Sequence, residues 1–147
     1  LTGRGDFSAS REILDSRPAL SDAAAHARYR LFDFTGDFDI ALAAAEVSLC
    51  RAGGSSFELA AAGLPGILVR CPYATADHQA LNAKWLTDGD AAVMIRDQEL
   101  TGERLRELLD GLLERPGRLD QMRDNALKLA MPDAAERIAD ELEQAAA

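Results

Sequence analysis

Four apolar runs of strand length punctuate the first two thirds of the chain, and what separates them decides the fold. They are YRLFDF at 29–34, VSLCR at 47–51, GILVR at 66–70 and AAVMIR at 91–96. Each is short and rich in branched or aromatic residues, which predicts strands. Between them lie stretches that predict helices at 37–45, 55–62 and 76–87, with weaker ones at 8–16 and 20–27. Strands alternating with helices of this size imply right-handed crossovers, and therefore an α/β fold with a parallel sheet and flanking helices.

The last third is helical throughout. Segments at 101–114, 118–130 and 133–144 are separated by Arg115-Pro116-Gly117 and by Pro132. Leu105, Leu108, Leu109, Leu112 and Leu113 recur at helical spacing, so the first of these segments docks an apolar face on a core. The chain's 147 residues, 48% of them hydrophobic, suffice for one domain and not for two. Twenty-five acidic residues against 16 Lys and Arg, a net charge of -9, leave no cationic face for duplex phosphates, so nucleic acid is not an expected partner. No apolar run approaches the roughly 20 residues that span a bilayer, and the opening Leu1-Thr2-Gly3-Arg4-Gly5 is no signal peptide, so the chain reads as soluble. Cys50 and Cys71 lack ligand-spaced partners for zinc and read as reduced, buried thiols.

The stretch CRAGGSSFELAAAGLPG, 50–66, carries the chemistry. It leads from a strand through Ala52-Gly53-Gly54 into a helix opened by Ser55 or Ser56 and closed at Gly63, with Pro65 beyond it. In parallel sheets, ligands collect at such carboxyl-end junctions. Free amides approached closely past Gly53 and Gly54 make a seat for phosphate, although no lysine follows where a P-loop needs one. Glu58 has two readings. With Ser55 as N-cap, Ser55-x-x-Glu58 is a capping box. Equally, its carboxylate can accept both hydrogen bonds of a ribose diol.

Two further stretches suggest binding. In RCPYATADHQALNAKWL, 70–86, Gln79 and Asn82 share one helical face and are suited to sugar hydroxyls, while Trp85 reads as core. His78, with no second ligand-spaced histidine, does not point to a metal. In RLFDFTGDFDIALAAAE, 30–46, Phe34 at a strand end and Phe38 just inside a helix are able to wall a base, though core packing is the commoner fate of phenylalanine.

Taken in order, DFTGDF, CRAGGSSFELAAAGLPGILV, YATADHQALNAKWL and MPDAAERIADEL make the whole chain resemble the C-terminal, donor-binding domain of MurG-type glycosyltransferases. These are GT-B enzymes of glycosyltransferase family 28, and the turn from Gly53 to Glu58 is one residue shorter here than is usual among them. The resemblance implies a Rossmann-like parallel sheet forming residues 1–147 of a UDP-sugar-binding domain. Its first strand would precede Leu1, making the chain a fragment incomplete at its N-terminus and inactive alone.

The implied activity is inverting transfer of N-acetylglucosamine from UDP-N-acetylglucosamine to lipid-linked muramyl pentapeptide in peptidoglycan synthesis. The implied substrate-binding residues are Glu58 at the ribose, and Gly53, Gly54, Ser55 and Ser56 at the diphosphate, with Arg51 also among the binding residues. Gln79, His78 and Asn82 would meet the sugar, and Phe34, Thr35 and Phe38 the uracil. No catalytic residue, metal or cofactor is implied for this segment. The general base, the acceptor site and any membrane contact would lie in the absent half of a cytoplasmic enzyme peripheral to the inner face of the bacterial membrane. Rival readings are a UDP-N-acetylglucosamine epimerase, which tends to carry a glutamate pair in this turn, and a non-catalytic nucleotide-binding or interaction module.

Overall fold

Ile67, Leu68 and Val69 are all buried, and this is what places their strand at the middle of the sheet. The strand, β2 (Gly66–Arg70), pairs in parallel with β1 (Ser48–Arg51) on one side and β3 (Ala92–Arg96) on the other. The structure, a computed structural model, describes residues 1–17, 29–70 and 78–146, and of residues 78–80 the backbone alone. It divides into two units, Leu1–Phe38 and Asp39–Ala147, and the sheet belongs to the second.

The remaining elements follow the expected order. They are α1 (Phe7–Asp15), α2 (Phe38–Ala43), α3 (Ser55–Ala61), α4 (His78–Asp88), a 3-10 turn at Asp97–Glu99, α5 (Gly102–Leu113), α6 (Arg118–Leu129) and α7 (Ala134–Ala146). The helix expected at 20–27 and Cys71 lie outside the described residues.

Side chains alternate across a strand, and β2 sends them into two cores. Leu68 packs with Leu59 and Ala60 of α3, Ala83 and Leu86 of α4, and Ala92 of β3. Ile67 and Val69 point the other way and join Ile95, Leu112 of α5 and Met122 of α6. Helices thus cover both faces, as an α/β sheet requires. Each large aliphatic side chain so buried is worth roughly 1.5–3 kcal/mol. Helix α6 serves both cores, through Met122 in one and Ala126 in the other. The α5 start is capped as its sequence implies, with the Thr101 hydroxyl accepting from the Arg104 amide at 3.1 Å.

One expected strand is absent. Residues 29–34 are irregular, because among the described residues their backbone pairs with another segment at one point, where the Thr2 amide donates to the Phe32 carbonyl at 3.1 Å. The Asp33 carboxylate then takes the Phe34 amide at 2.8 Å and turns the chain. A β-branched, aromatic run becomes a strand only where a neighbouring strand offers a ladder.

Candidate active site

The turn between β1 and α3 leaves the carboxyl end of the sheet through Ala52, Gly53 and Gly54. Ala52 is fully buried and anchored by its amide to the Val69 carbonyl at 3.3 Å. The Gly53 amide folds back on the Arg51 carbonyl at 2.8 Å, and the Gly53 and Gly54 carbonyls accept from Ser56 and Phe57 at 3.1 Å each. The Gly54 and Ser55 amides donate to no acceptor among the described residues.

Neither glycine is demanded by the fold. A Cβ built on Gly53 or Gly54 meets nothing within 4 Å, and neither residue has a positive φ. Among the described residues, the turn therefore presents two unpartnered amides with an open approach.

The capping box does not form. Gly54 already has helical backbone angles and is itself the N-cap, so Ser55 is the first helical residue and no side chain caps the helix. Its hydroxyl is one position too late for the N-cap role. Ser56 is fully buried, and its Oγ has no hydrogen-bond partner among the described residues. Leu59 and Ala60 are buried beside it, whereas Phe57 and Glu58 face outward. This explains a carboxylate inside an apolar run: Glu58 occupies the solvent face of α3, its carboxylate free of hydrogen bonds and ion pairs with other described residues.

Neighbouring elements complete the surroundings. Arg51, at the end of β1, is held by Asp97 beyond β3 at 2.6 Å. Nothing in residue spacing signalled this partner, because the contact depends on strand order. Asn82 of α4 reaches the turn, its amide nitrogen lying 3.5 and 3.4 Å from the Ala52 and Gly53 carbonyls. Phe57 packs on Trp85 with ring centroids 5.1 Å apart, and Trp85 borders the core as expected. Half-burial pushes the thiol of Cys50, in β1, above its ordinary pKa.

Of the sequence-derived site residues, Arg51, Gly53, Gly54, Ser55, Ser56, Glu58 and Asn82 thus gather around one turn. His78 and Gln79 lie in the first turn of α4, and their side chains are outside the description. Phe34, Thr35 and Phe38 belong to the first unit. There the Arg4 guanidinium lies 5.5 Å from the centre of the exposed Phe34 ring. The Thr35 hydroxyl accepts from the Asp37 amide at 3.1 Å, and Phe38 opens α2 half-buried. Among the described residues, no cluster of three His, Cys, Asp or Glu is placed to hold a metal ion. No helix among them is long and apolar enough to cross a membrane.

Comparison with known proteins places this arrangement in a family. The model of the glycosyltransferase family 28 C-terminal domain matches residues 2–138. The chain is 40% identical over 146 residues to the UDP-N-acetylglucosamine--N-acetylmuramyl-(pentapeptide) pyrophosphoryl-undecaprenol N-acetylglucosamine transferase of Solibacter usitatus, covering 99% of this chain and 37% of that protein. It is 38% identical over 138 residues to the Desulfitobacterium hafniense protein of the same name, covering 93% of this chain and 37% of the relative. The chain thus spans well under half the length of these relatives. Among solved structures it is similar to that of MurG from Acinetobacter baumannii, with a TM-score of 0.80 and 28% identity over 97% of this chain and 39% of the other. A parallel sheet with an open glycine turn at its carboxyl end, matched along nearly all its length, makes this chain a member of the glycosyltransferase family 28 C-terminal domain family.

Proposed function

We propose that the chain is the donor-binding part of an inverting glycosyltransferase, which moves N-acetylglucosamine from UDP-N-acetylglucosamine to a lipid-linked muramyl pentapeptide. The observation that carries this reading is the Gly53-Gly54 pair, where an added Cβ would meet nothing among the described residues and no positive φ calls for glycine. Family membership and the names of the relatives supply the chemistry.

In this reading the diphosphate lies on the free Gly54 and Ser55 amides, with Gly53 and Ser56 completing the turn. As the acceptor oxygen attacks the anomeric carbon, the sugar–phosphate bond breaks and negative charge grows on the departing diphosphate. Fixed amides aimed at that charge stabilise the transition state more than the ground state. Glu58 accepts from the two ribose hydroxyls, for which it is suitably unengaged. Arg51 adds positive charge beside the phosphates while Asp97 holds it in place. His78, Gln79 and Asn82 are assigned to the sugar, and Phe34, Thr35 and Phe38 to the uracil, on the family resemblance. The general base and acceptor site are assigned to another part of the enzyme, along with its contact with the inner face of the cytoplasmic membrane. No metal or other cofactor is assigned to the reaction.

Calorimetric titration with UDP-N-acetylglucosamine, UDP and ADP tests the reading. Both uridine ligands should bind and ADP should bind more weakly. The Glu58→Ala variant should lose about tenfold in affinity for UDP, the loss of hydrogen bonds to a charged acceptor, with an unchanged melting temperature. Equal affinity for ADP and UDP would sink the assignment.

A further inference from the structure

Asn82 stands on α4, yet its amide is directed at a different element, the β1–α3 turn. Its nitrogen donates to the Ala52 carbonyl at 3.5 Å and the Gly53 carbonyl at 3.4 Å. Two converging carbonyl oxygens determine which end of the amide faces them, because the Asn82 oxygen in that position would meet only acceptors. The NH2 group has two protons, one for each carbonyl. The Gly53 carbonyl also takes the Ser56 amide at 3.1 Å, so one oxygen joins the turn, the start of α3 and α4.

Backbone hydrogen bonds from Ala52, Gly53, Ser56 and Phe57 also hold the turn, and Asn82 adds a side-chain restraint to them. Gly53 and Gly54 carry no side chains, and the space where their Cβ atoms would stand is empty. The Gly54 and Ser55 amides point where this short backbone segment sends them. Each peptide unit is a rigid plane, so a side chain that holds the Gly53 carbonyl also sets the direction of the Gly54 amide, which shares that plane, while its hold on the Ala52 carbonyl steadies the Gly53 amide before it.

We propose that Asn82 is the positioning residue of the diphosphate turn, acting on nucleotide affinity through the backbone and not only through the sugar. The proposal rests on the donor-site reading above. With the amide nitrogen turned toward the backbone carbonyls, the Asn82 oxygen is left for a sugar hydroxyl, which would donate to it.

The test compares UDP with UDP-N-acetylglucosamine by calorimetry on the full-length protein and its Asn82→Ala and Asn82→Asp variants, with melting temperatures recorded alongside. Ala removes the amide without adding charge, and Asp keeps the shape but cannot donate. Both variants should lose about tenfold in affinity for UDP itself, the upper range for one or two modest hydrogen bonds, and a similar factor for the UDP-sugar. Unchanged UDP affinity with weakened UDP-sugar binding would reduce Asn82 to a sugar contact. A lower melting temperature with both affinities intact would make it a structural brace. Either result overturns the proposal. Should these variants fail to fold, Asn82→Gln retains the NH2 group one methylene farther out and should show a smaller loss of the same kind. Failure of the wild type to bind UDP would instead remove the donor-site reading, and the proposal with it.

Discussion

Two pairs of glycines in this domain have opposite reasons to be glycine. At Gly63, which follows α3 with a φ of +61°, a Cβ would stand 2.9 Å from the Leu127 Cγ of α6. At Gly89, after α4, it would stand 2.5 Å from a Leu129 methyl. These two let α6 settle against the ends of α3 and α4. At Gly53 and Gly54 nothing crowds the missing side chain and the backbone angles are ordinary. Glycine in the first pair answers to the fold, and in the second, on the proposed reading, to a bound nucleotide. The difference separates stability from binding without reference to sequence conservation.

Substitution can break this contrast. Gly63→Ala should have the largest effect on stability, about 2–5 kcal/mol. This combines roughly 1–2 for a left-handed non-glycine residue with 1–3 for crowding against α6, and urea denaturation measures it. Gly54→Ala should leave stability within about 0.5 kcal/mol, yet lower UDP affinity at least tenfold, or about 1.4 kcal/mol, by placing a methyl group in the phosphate approach. Loss of stability at Gly54, or unaltered binding, would erase the distinction.

The smallest effect belongs to a position that lies between the two kinds. Asp90 has a φ of +54°, where glycine would be easier, and it is kept there by Arg118, whose guanidinium donates to both carboxylate oxygens at 2.6 and 2.7 Å. Hydrogen bonding to Arg118 holds the Asp90 carboxyl below its usual pKa. A depressed folded pKa contributes stability above the unfolded value, near 3.9, and that contribution disappears as pH falls through the lower folded value. Asp90→Asn tolerates the same backbone but removes the charge and one of the two oxygens that accept from Arg118. With the carboxylate half exposed, the cost at pH 7 should be about 0.5–1 kcal/mol, shrinking as pH drops below about 4. Paired urea titrations at neutral and acid pH would reveal this, and a gap independent of pH would remove the charge from the explanation.

The sheet and its helices were legible because their signals are local. GILVR is apolar at every position facing either core, and the leucines of α5 repeat at helical spacing. Residues 29–34 had the composition of a strand, but a strand also needs a ladder, and composition does not contain the neighbour. The capping box failed by one residue, since Gly54 takes helical angles and the hydroxyl of Ser55 arrives after the cap. The shared helical face of Gln79 and Asn82 was readable, whereas the carbonyls Asn82 meets belong to a turn about thirty positions earlier. The Arg51–Asp97 pair likewise exists because β2 lies between β1 and β3. Local periodicity thus revealed the scaffold, while the contacts that shape the site arise where distant segments meet.

Cys50 makes the edge of that scaffold observable in time. Burial favours its neutral thiol, and the thiolate is the form that reacts with disulfide reagents. Modification of Cys50 in a Cys71→Ser background is therefore held back by its half-buried setting and quickens when β1 lifts from its packing. Its labelling rate responds to those openings, and a nucleotide seated on the turn immediately beyond β1 should lower it.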